Sequence, residues 1–153
     1  MEKIINLSGK ETKLKVSAAT NILYKRVFKE DILIKLSSYS KNLKELKAIQ
    51  AKIEAVKADE TKSKEEVAEE MTKLVNSSVF EEINSFSSET LPKLAYIMYL
   101  EANYTEAHIF SKLNEECYLG WLLHIDQNEL IDITKEVMEL WKAGASNTSS
   151  PKN

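Results

Sequence analysis

Apolar and polar positions alternate near the N-terminus. Lys3-Ile4-Ile5-Asn6-Leu7 and Thr12-Lys13-Leu14-Lys15-Val16 flank the turn-forming Ser8-Gly9-Lys10-Glu11, and the second run puts Leu14 and Val16 on one face and Lys13 and Lys15 on the other. This period of two predicts a β-hairpin with one buried face. A lone hairpin is marginal in water, so it must pack on helices or pair with another chain. From residue 20 the period lengthens. Ile22, Leu23, Val27 and Phe28 recur at helical spacing behind Thr20, a candidate N-cap, and Asp31 is placed to cap a stretch through Ile32, Leu33, Ile34 and Leu36. Ser37-Ser38-Tyr39-Ser40 reads as a break. Leu43, Leu46, Ile49, Ile53 and Val56 then form a narrow stripe among lysines. After a polar joint at 58–62, Ser63 and Glu66 have the spacing of a capping box ahead of Val67, Met71, Leu74 and Val75. Residues 41–75 therefore predict a helical hairpin or a long interrupted helix, with thin stripes that suit a projecting, partner-contacting element.

Phe80, Ile83 and Phe86 continue an apolar face, and Ser85-Phe86-Ser87-Ser88 predicts a second break before a helix start at Thr90-Leu91-Pro92. The run Leu94-Ala95-Tyr96-Ile97-Met98-Tyr99-Leu100 is apolar all round, which predicts the central buried helix. Asn114 is placed to cap a helix carrying Tyr118, Leu119, Trp121 and Leu122. Asp126 and Glu129 precede a last helix with Leu130, Ile133, Val137, Leu140 and Trp141, for which Gly144 is the expected C-cap. The polar remainder, 145–153, has nothing to bury and is expected to be disordered. The expected fold is mainly α (α+β). One helical domain over 1–144 carries the N-terminal hairpin and a helical insert at 37–89.

The scarcity of glycine (three) and proline (two) agrees with a helical chain and removes several chemistries. Gly9, Gly120 and Gly144 are isolated, so no glycine-rich phosphate cradle exists. His108, Cys117 and His124 are the only His and Cys ligands. Cys117 and His124 would stand two helical turns apart, roughly 10 Å, too far for one zinc. No nucleophile-elbow pattern appears, and Cys117 among Tyr118, Leu119 and Trp121 reads as a small core residue. Glu65, Glu66, Glu69 and Glu70 lie beside Lys62, Lys64 and Lys73 and read as a solvated face. No enzyme, metal or cofactor is expected. No stretch reaches the ~20 apolar residues that span a bilayer, no N-terminal apolar signal segment is present, and the single cysteine suits a reducing compartment. The net charge of −3 hides a polarity: residues 1–57 hold 13 Lys/Arg against 6 Asp/Glu, and residues 58–153 hold 8 against 18. Arg26 is the one arginine in the basic half, which argues against nucleic acid and towards head-to-tail stacking or a charged client.

Four places resemble the tail assembly chaperones of long-tailed, non-contractile bacteriophages and prophages of Gram-positive bacteria. They are the hairpin Ile4 to Lys10 with Leu14-Lys15-Val16 passing into Ala18-Ala19-Thr20; Tyr24-Lys25-Arg26-Val27-Phe28-Lys29-Glu30-Asp31-Ile32-Leu33; the apolar run Leu94 to Ala102; and Trp121-Leu122 through Asp126 to Ile133, then Leu140-Trp141 and the Thr148-Ser149-Ser150-Pro151-Lys152 tail. The family often has Gly where this chain has Lys29. The resemblance implies a non-enzymatic protein of the host bacterial cytoplasm that binds the tape measure protein, keeps it soluble, helps recruit tail tube subunits, and is absent from the mature virion. It also implies contact with the tail tube protein through a longer form made by ribosomal frameshifting, for which codons 148–153 are the place to look. Tyr24, Arg26, Phe28, Tyr96, Tyr99 and Trp121 are the candidate partner-contact residues, with burial the commoner fate of aromatics at helical spacing. Two alternatives stand beside this reading: a small DNA-binding regulator using the basic N-terminal half, and a structural tail-completion or joining protein. The hairpin edge and the opposed charges also suit a homo-oligomer, a ring or a spiral.

Overall fold

The computed structural model describes residues 1–75 and 78–149, the last five for their backbone alone. The chain is mainly α with a two-stranded antiparallel hairpin at its N-terminus, as expected. It divides into two compact units, one built from Met1–Leu33 together with the chain from Ser87 onward, the other from Ile34–Phe86. The span 37–89 expected as a helical insert overlaps this second unit, whose bounds are Ile34 and Phe86.

In the first unit, β1 (Glu2–Leu7) and β2 (Lys10–Lys15) pair with Leu7 opposite Lys10. The loop is the two residues Ser8 and Gly9, both with positive φ (51° and 77°), a turn whose twist matches that of the strands. Ile5, Leu7 and Leu14 are buried, while Ile4 faces water. The hairpin is marginal alone, and it is tied down at both ends. Lys3 bridges to Glu136 and, at 2.7 Å, to Glu139. Ser8 donates to Glu129 through its N–H at 3.2 Å and its hydroxyl at 2.9 Å.

Helices α1 (Thr20–Phe28), α7 (Glu115–Leu122) and α8 (Gln127–Ser149) and strand β2 surround α5 (Leu91–Asn103). Leu91, Leu94, Ala95, Tyr96, Ile97, Met98 and Leu100 of α5 are all buried, as its all-round apolar sequence predicts. The short α6 (Glu106–Ile109) and a 3-10 turn (Phe110–Lys112) join α5 to α7. Asn114 caps α7 by accepting from the Cys117 N–H at 2.8 Å, and Asp126 accepts from the Glu129 N–H at 2.9 Å ahead of α8.

Two local expectations for this unit fail for identifiable reasons. Thr20 does not cap α1; it is the first helical residue and fully buried. Its hydroxyl accepts from the Ser17 N–H at 2.9 Å and donates to Glu101 at 2.6 Å, and the Ser17 hydroxyl donates to the same carboxylate. The Ser17 N–H thus takes the acceptor oxygen that a cap would have used, and Glu101 on α5 holds the hydroxyl proton. Gly144 does not end α8 either, because the helix runs through it to Ser149. A Cβ at Gly144 would lie 2.7 Å from Val16 Cγ1, so glycine is required there for close approach to the end of the hairpin. Within the expected tail 145–153, the backbone is helical to Ser149, and residues 150–153 lie outside the described residues.

The second unit contains most of α2 (Ile32–Ala58), α3 (Lys64–Val75), α4 (Ser78–Ser85) and Phe86, the first residue of a π-helical turn, Phe86–Thr90. The break expected at 37–40 is absent. Serines disfavour helix by only a few tenths of a kcal/mol each and no glycine or proline intervenes, while Leu36, Tyr39 and Leu43 carry the apolar stripe straight through. Tyr39 stacks on Phe86 with ring centroids 4.2 Å apart. The break expected at 85–88 is in fact this π-turn, in which the chain changes pitch without leaving the helix. Val56, Val79 and Phe86 are buried, Leu43, Leu46, Ile49, Ile53, Val67, Met71 and Leu74 are half-buried, and Ile34 and Val75 are exposed, a thin seam rather than a thick core. The charge polarity is resolved largely inside this unit. Residues 34–58 hold six lysines against two glutamates, and residues 59–86 hold three lysines against eight acidic residues.

Candidate functional site

The aromatic residues singled out from sequence come from separate segments, and the fold draws five of them together in the first unit. On α1, Tyr24 and Phe28 stand one turn apart with centroids at 5.1 Å. Phe28 meets Tyr118 of α7 edge-on at 5.1 Å, and Tyr118 meets Tyr96 of α5 at 5.5 Å. Tyr96 then touches Trp121 at 5.4 Å, Trp121 stacks on Tyr99 at 5.6 Å, and Tyr99 meets Tyr104 edge-on at 6.0 Å. The outcome is one continuous band of seven rings in offset and edge-to-face pairs, the arrangements their quadrupoles favour. The i,i+4 and i,i+3 spacings of Tyr24/Phe28, Tyr96/Tyr99 and Tyr118/Trp121 place each pair on one helix face.

Burial grades along the band. Tyr24, Phe28, Tyr96 and Tyr118 are buried, whereas Tyr99, Trp121 and Tyr104 are half-buried. Arg26 is not part of the band. It is exposed on the outer face of α1, its guanidinium 4.9 Å from the ring centroid of Phe110. Two further cations flank the rings: Lys93 lies 5.3 Å from the Phe28 centroid and Lys112 lies 5.6 Å from that of Tyr104.

Two of the ring hydroxyls have protein partners. The Tyr24 hydroxyl donates to Glu30 at 3.0 Å, and Lys93 approaches the other oxygen of that carboxylate at 3.6 Å. The Tyr96 hydroxyl donates to the Lys112 carbonyl at 2.7 Å, which anchors the 3-10 turn to α5. Burial, reinforced by the negative Glu30, pushes the Tyr24 phenol far above its ordinary range, and burial raises Tyr96 likewise. Tyr99 is pushed up to about 12 by burial and by its hydrogen bond with Tyr104, and Tyr118 to about 12 by burial beside Glu89. All four stay neutral near pH 7. Neutral phenols stack, donate and accept hydrogen bonds, and Tyr99, Trp121 and Tyr104 are the members of the band that solvent reaches.

Sequence reading missed Tyr104, Phe110, Lys93, Lys112 and Glu30 as members of this region, and passed over Tyr118 as a site residue. Tyr118 had an available signal, its i,i+3 spacing to Trp121. Phe110 had none, because it lies in a short 3-10 turn with no apolar period around it. Outside the band, Leu119 of α7 and Leu123, the residue that caps its C-terminus, are exposed one turn apart. Among the described residues no group of three or more His, Cys, Asp or Glu is placed to hold a metal ion, and no helix is long and apolar enough to cross a membrane. Comparison with family models, with curated proteins and with solved structures finds no match to the chain.

Proposed function

We propose that the chain is a bacteriophage tail assembly chaperone. It acts in the host cytoplasm, covers the apolar stripes of the helical tape measure protein during assembly, and helps recruit tail tube subunits around that protein. The observation that carries the reading is the aromatic band. Its buried half makes a stiff platform, its half-buried half brings Tyr99, Trp121 and Tyr104 to the surface, and Leu119 of α7 and Leu123 just past its end are exposed beside it. Rigid rings with a polar rim bury much area at small entropic cost, which suits capture and later release of an amphipathic helix. A client with long apolar stripes aggregates unless those stripes are covered.

Co-expression with the tape measure protein of the same genome is the test. The expected result is that the tape measure protein becomes soluble and co-purifies with this chain, and that Leu123→Asp, at a position 85% exposed, lowers the recovered complex severalfold with unchanged helicity. Equal solubility of the tape measure protein with and without this chain refutes the proposal.

A further inference from the structure

We infer that the outer face of α7, centred on Gly120, seats an amphipathic helix of the client whose apolar stripe is flanked by lysine or arginine. Glu115, Leu119 and Leu123 follow one another at i, i+4 and i+8, with Glu116 and Gly120 beside them at their own i, i+4 spacing. The two glutamates and the two leucines are exposed, Leu119 at 57%. The face is an apolar ridge with carboxylates at its start.

Gly120 is the residue that points to a partner. Glycine inside a helix is less favourable than alanine, so its presence in α7 weakens the free chain. The other two glycines have reasons within the chain, a positive φ at Gly9 and the approach of Val16 at Gly144. A Cβ at Gly120 would meet nothing within 4 Å. Nothing among the described residues uses the missing side chain. A helix laid across α7 would use it, because the gap beside Leu123 lets two backbones approach closely and receives a side chain of the partner.

Charge fixes the kind of helix. Between Lys112 and Lys135 the chain carries Glu115, Glu116, Asp126, Glu129 and Asp132 and no lysine or arginine. Glu115 and Glu116 form no ion pair among the described residues. A stripe with basic flanks complements them, while an acidic helix is repelled. An anionic membrane surface is the poorer occupant for the same reason. The inference rests on the tape measure reading for the identity of the client, and adds which of its segments are taken.

Fluorescence anisotropy with the full chain and labelled helical peptides tests it at about 50 mM NaCl, where charge contacts are little screened. The peptides are a leucine stripe with lysine flanks, the same stripe with glutamate flanks, and a scramble of the lysine peptide that has no stripe. The lysine-flanked helix should bind about tenfold more tightly than either of the others. Leu123→Asp, and Glu115→Lys with Glu116→Lys, should each weaken it about tenfold, and the double reversal should turn the preference towards glutamate flanks. Gly120→Gln favours helix and adds no charge, so it should raise Tm and still weaken binding severalfold. A glycine with a purely structural role would not separate those two readouts. Equal binding of the three peptides overturns the inference, as does wild-type affinity in Gly120→Gln. Self-association lost in Leu123→Asp, with no peptide bound, overturns it too and assigns the face to a second copy. Co-expression separates the inference from the function it rests on. A tape measure protein made soluble by this chain, with no preference among the peptides, sinks the inference alone. The peptide preference together with an insoluble tape measure protein sinks the chaperone reading alone.

Discussion

Replacing Gly144 with alanine pits two effects of opposite sign against each other. Alanine in a helix interior is favoured over glycine by about 0.8–1 kcal/mol. The new Cβ, however, would sit 2.7 Å from Val16 Cγ1, with Cγ2 and Cβ of the same side chain at 3.7 and 3.8 Å. Ordinary carbon contacts are about 3.5–4.0 Å, so α8 and the strand end must part by nearly 1 Å or Val16 must leave its rotamer. Valine is β-branched and stiff at χ1, and overpacking of this kind costs about 1–3 kcal/mol. The clash outweighs the propensity gain. Gly144→Ala should lower stability by about 1 kcal/mol, or about 2–4 °C in Tm for a chain of this size. In a Val16→Ala background the obstructing methyl is gone, and the same change should be neutral or stabilising by up to about 1 kcal/mol. A double-mutant cycle by urea denaturation measures the coupling directly. A Gly144→Ala change that stabilises the wild-type chain, or one equally harmful with and without Val16, would refute this account. The second outcome is what a left-handed C-cap at Gly144 would produce.

Other outcomes follow from the same geometry. Lys29 ends α1 with φ of 59°, a left-handed conformation that costs a non-glycine residue about 1 kcal/mol, so Lys29→Gly should raise stability by about 0.5–1 kcal/mol in urea melts, despite losing the lysine's hydrogen bond to the Arg26 carbonyl. Asn114→Ala removes the acceptor at the start of α7 and should cost about 1 kcal/mol. Tyr24, Tyr96, Tyr99 and Tyr118 all have phenol pKa values raised by burial, so their contribution is complete below about pH 10, where the unfolded chain still keeps its phenols neutral, and is lost as pH rises above it. Phenolate absorbance from these four should therefore rise together with loss of far-UV CD; ionisation well before unfolding would contradict their burial. Lys3 is raised by Glu136 and Glu139, and Glu139 is lowered by Lys3, so that bridge acts from above the usual carboxylate range up to the lysine range. Lys3→Met should flatten the pH dependence of stability at both edges, by an amount that shrinks in high salt.

What the sequence decided by itself is what neighbours in the chain can decide together. The alternation around Ser8-Gly9 specifies a hairpin and its buried face, because the side-chain period of a strand is two and the turn residues accept positive φ. The all-apolar run from Leu94 to Leu100 specifies the central helix, since no face of it is fit for water. Asn114 and Asp126 announce helix starts because their side chains reach N–H groups three residues on. The misreadings at Ser37–Ser40 and Ser85–Ser88 have one cause: serine is a weak signal that a continuing apolar stripe overrides. The tertiary structure alone decided which segments meet. Nothing local brings Phe28 to Tyr118 or Tyr96 to Trp121, turns Thr20 from a cap into a ligand of Glu101, or asks for a glycine where Val16 approaches α8. The polarity at residue 57 changed meaning for the same reason. In the sequence it divides a basic half from an acidic one, but in the fold the boundary falls inside one compact unit. Local rules act over a few residues, whereas burial and charge pairing depend on distances that only the folded chain sets.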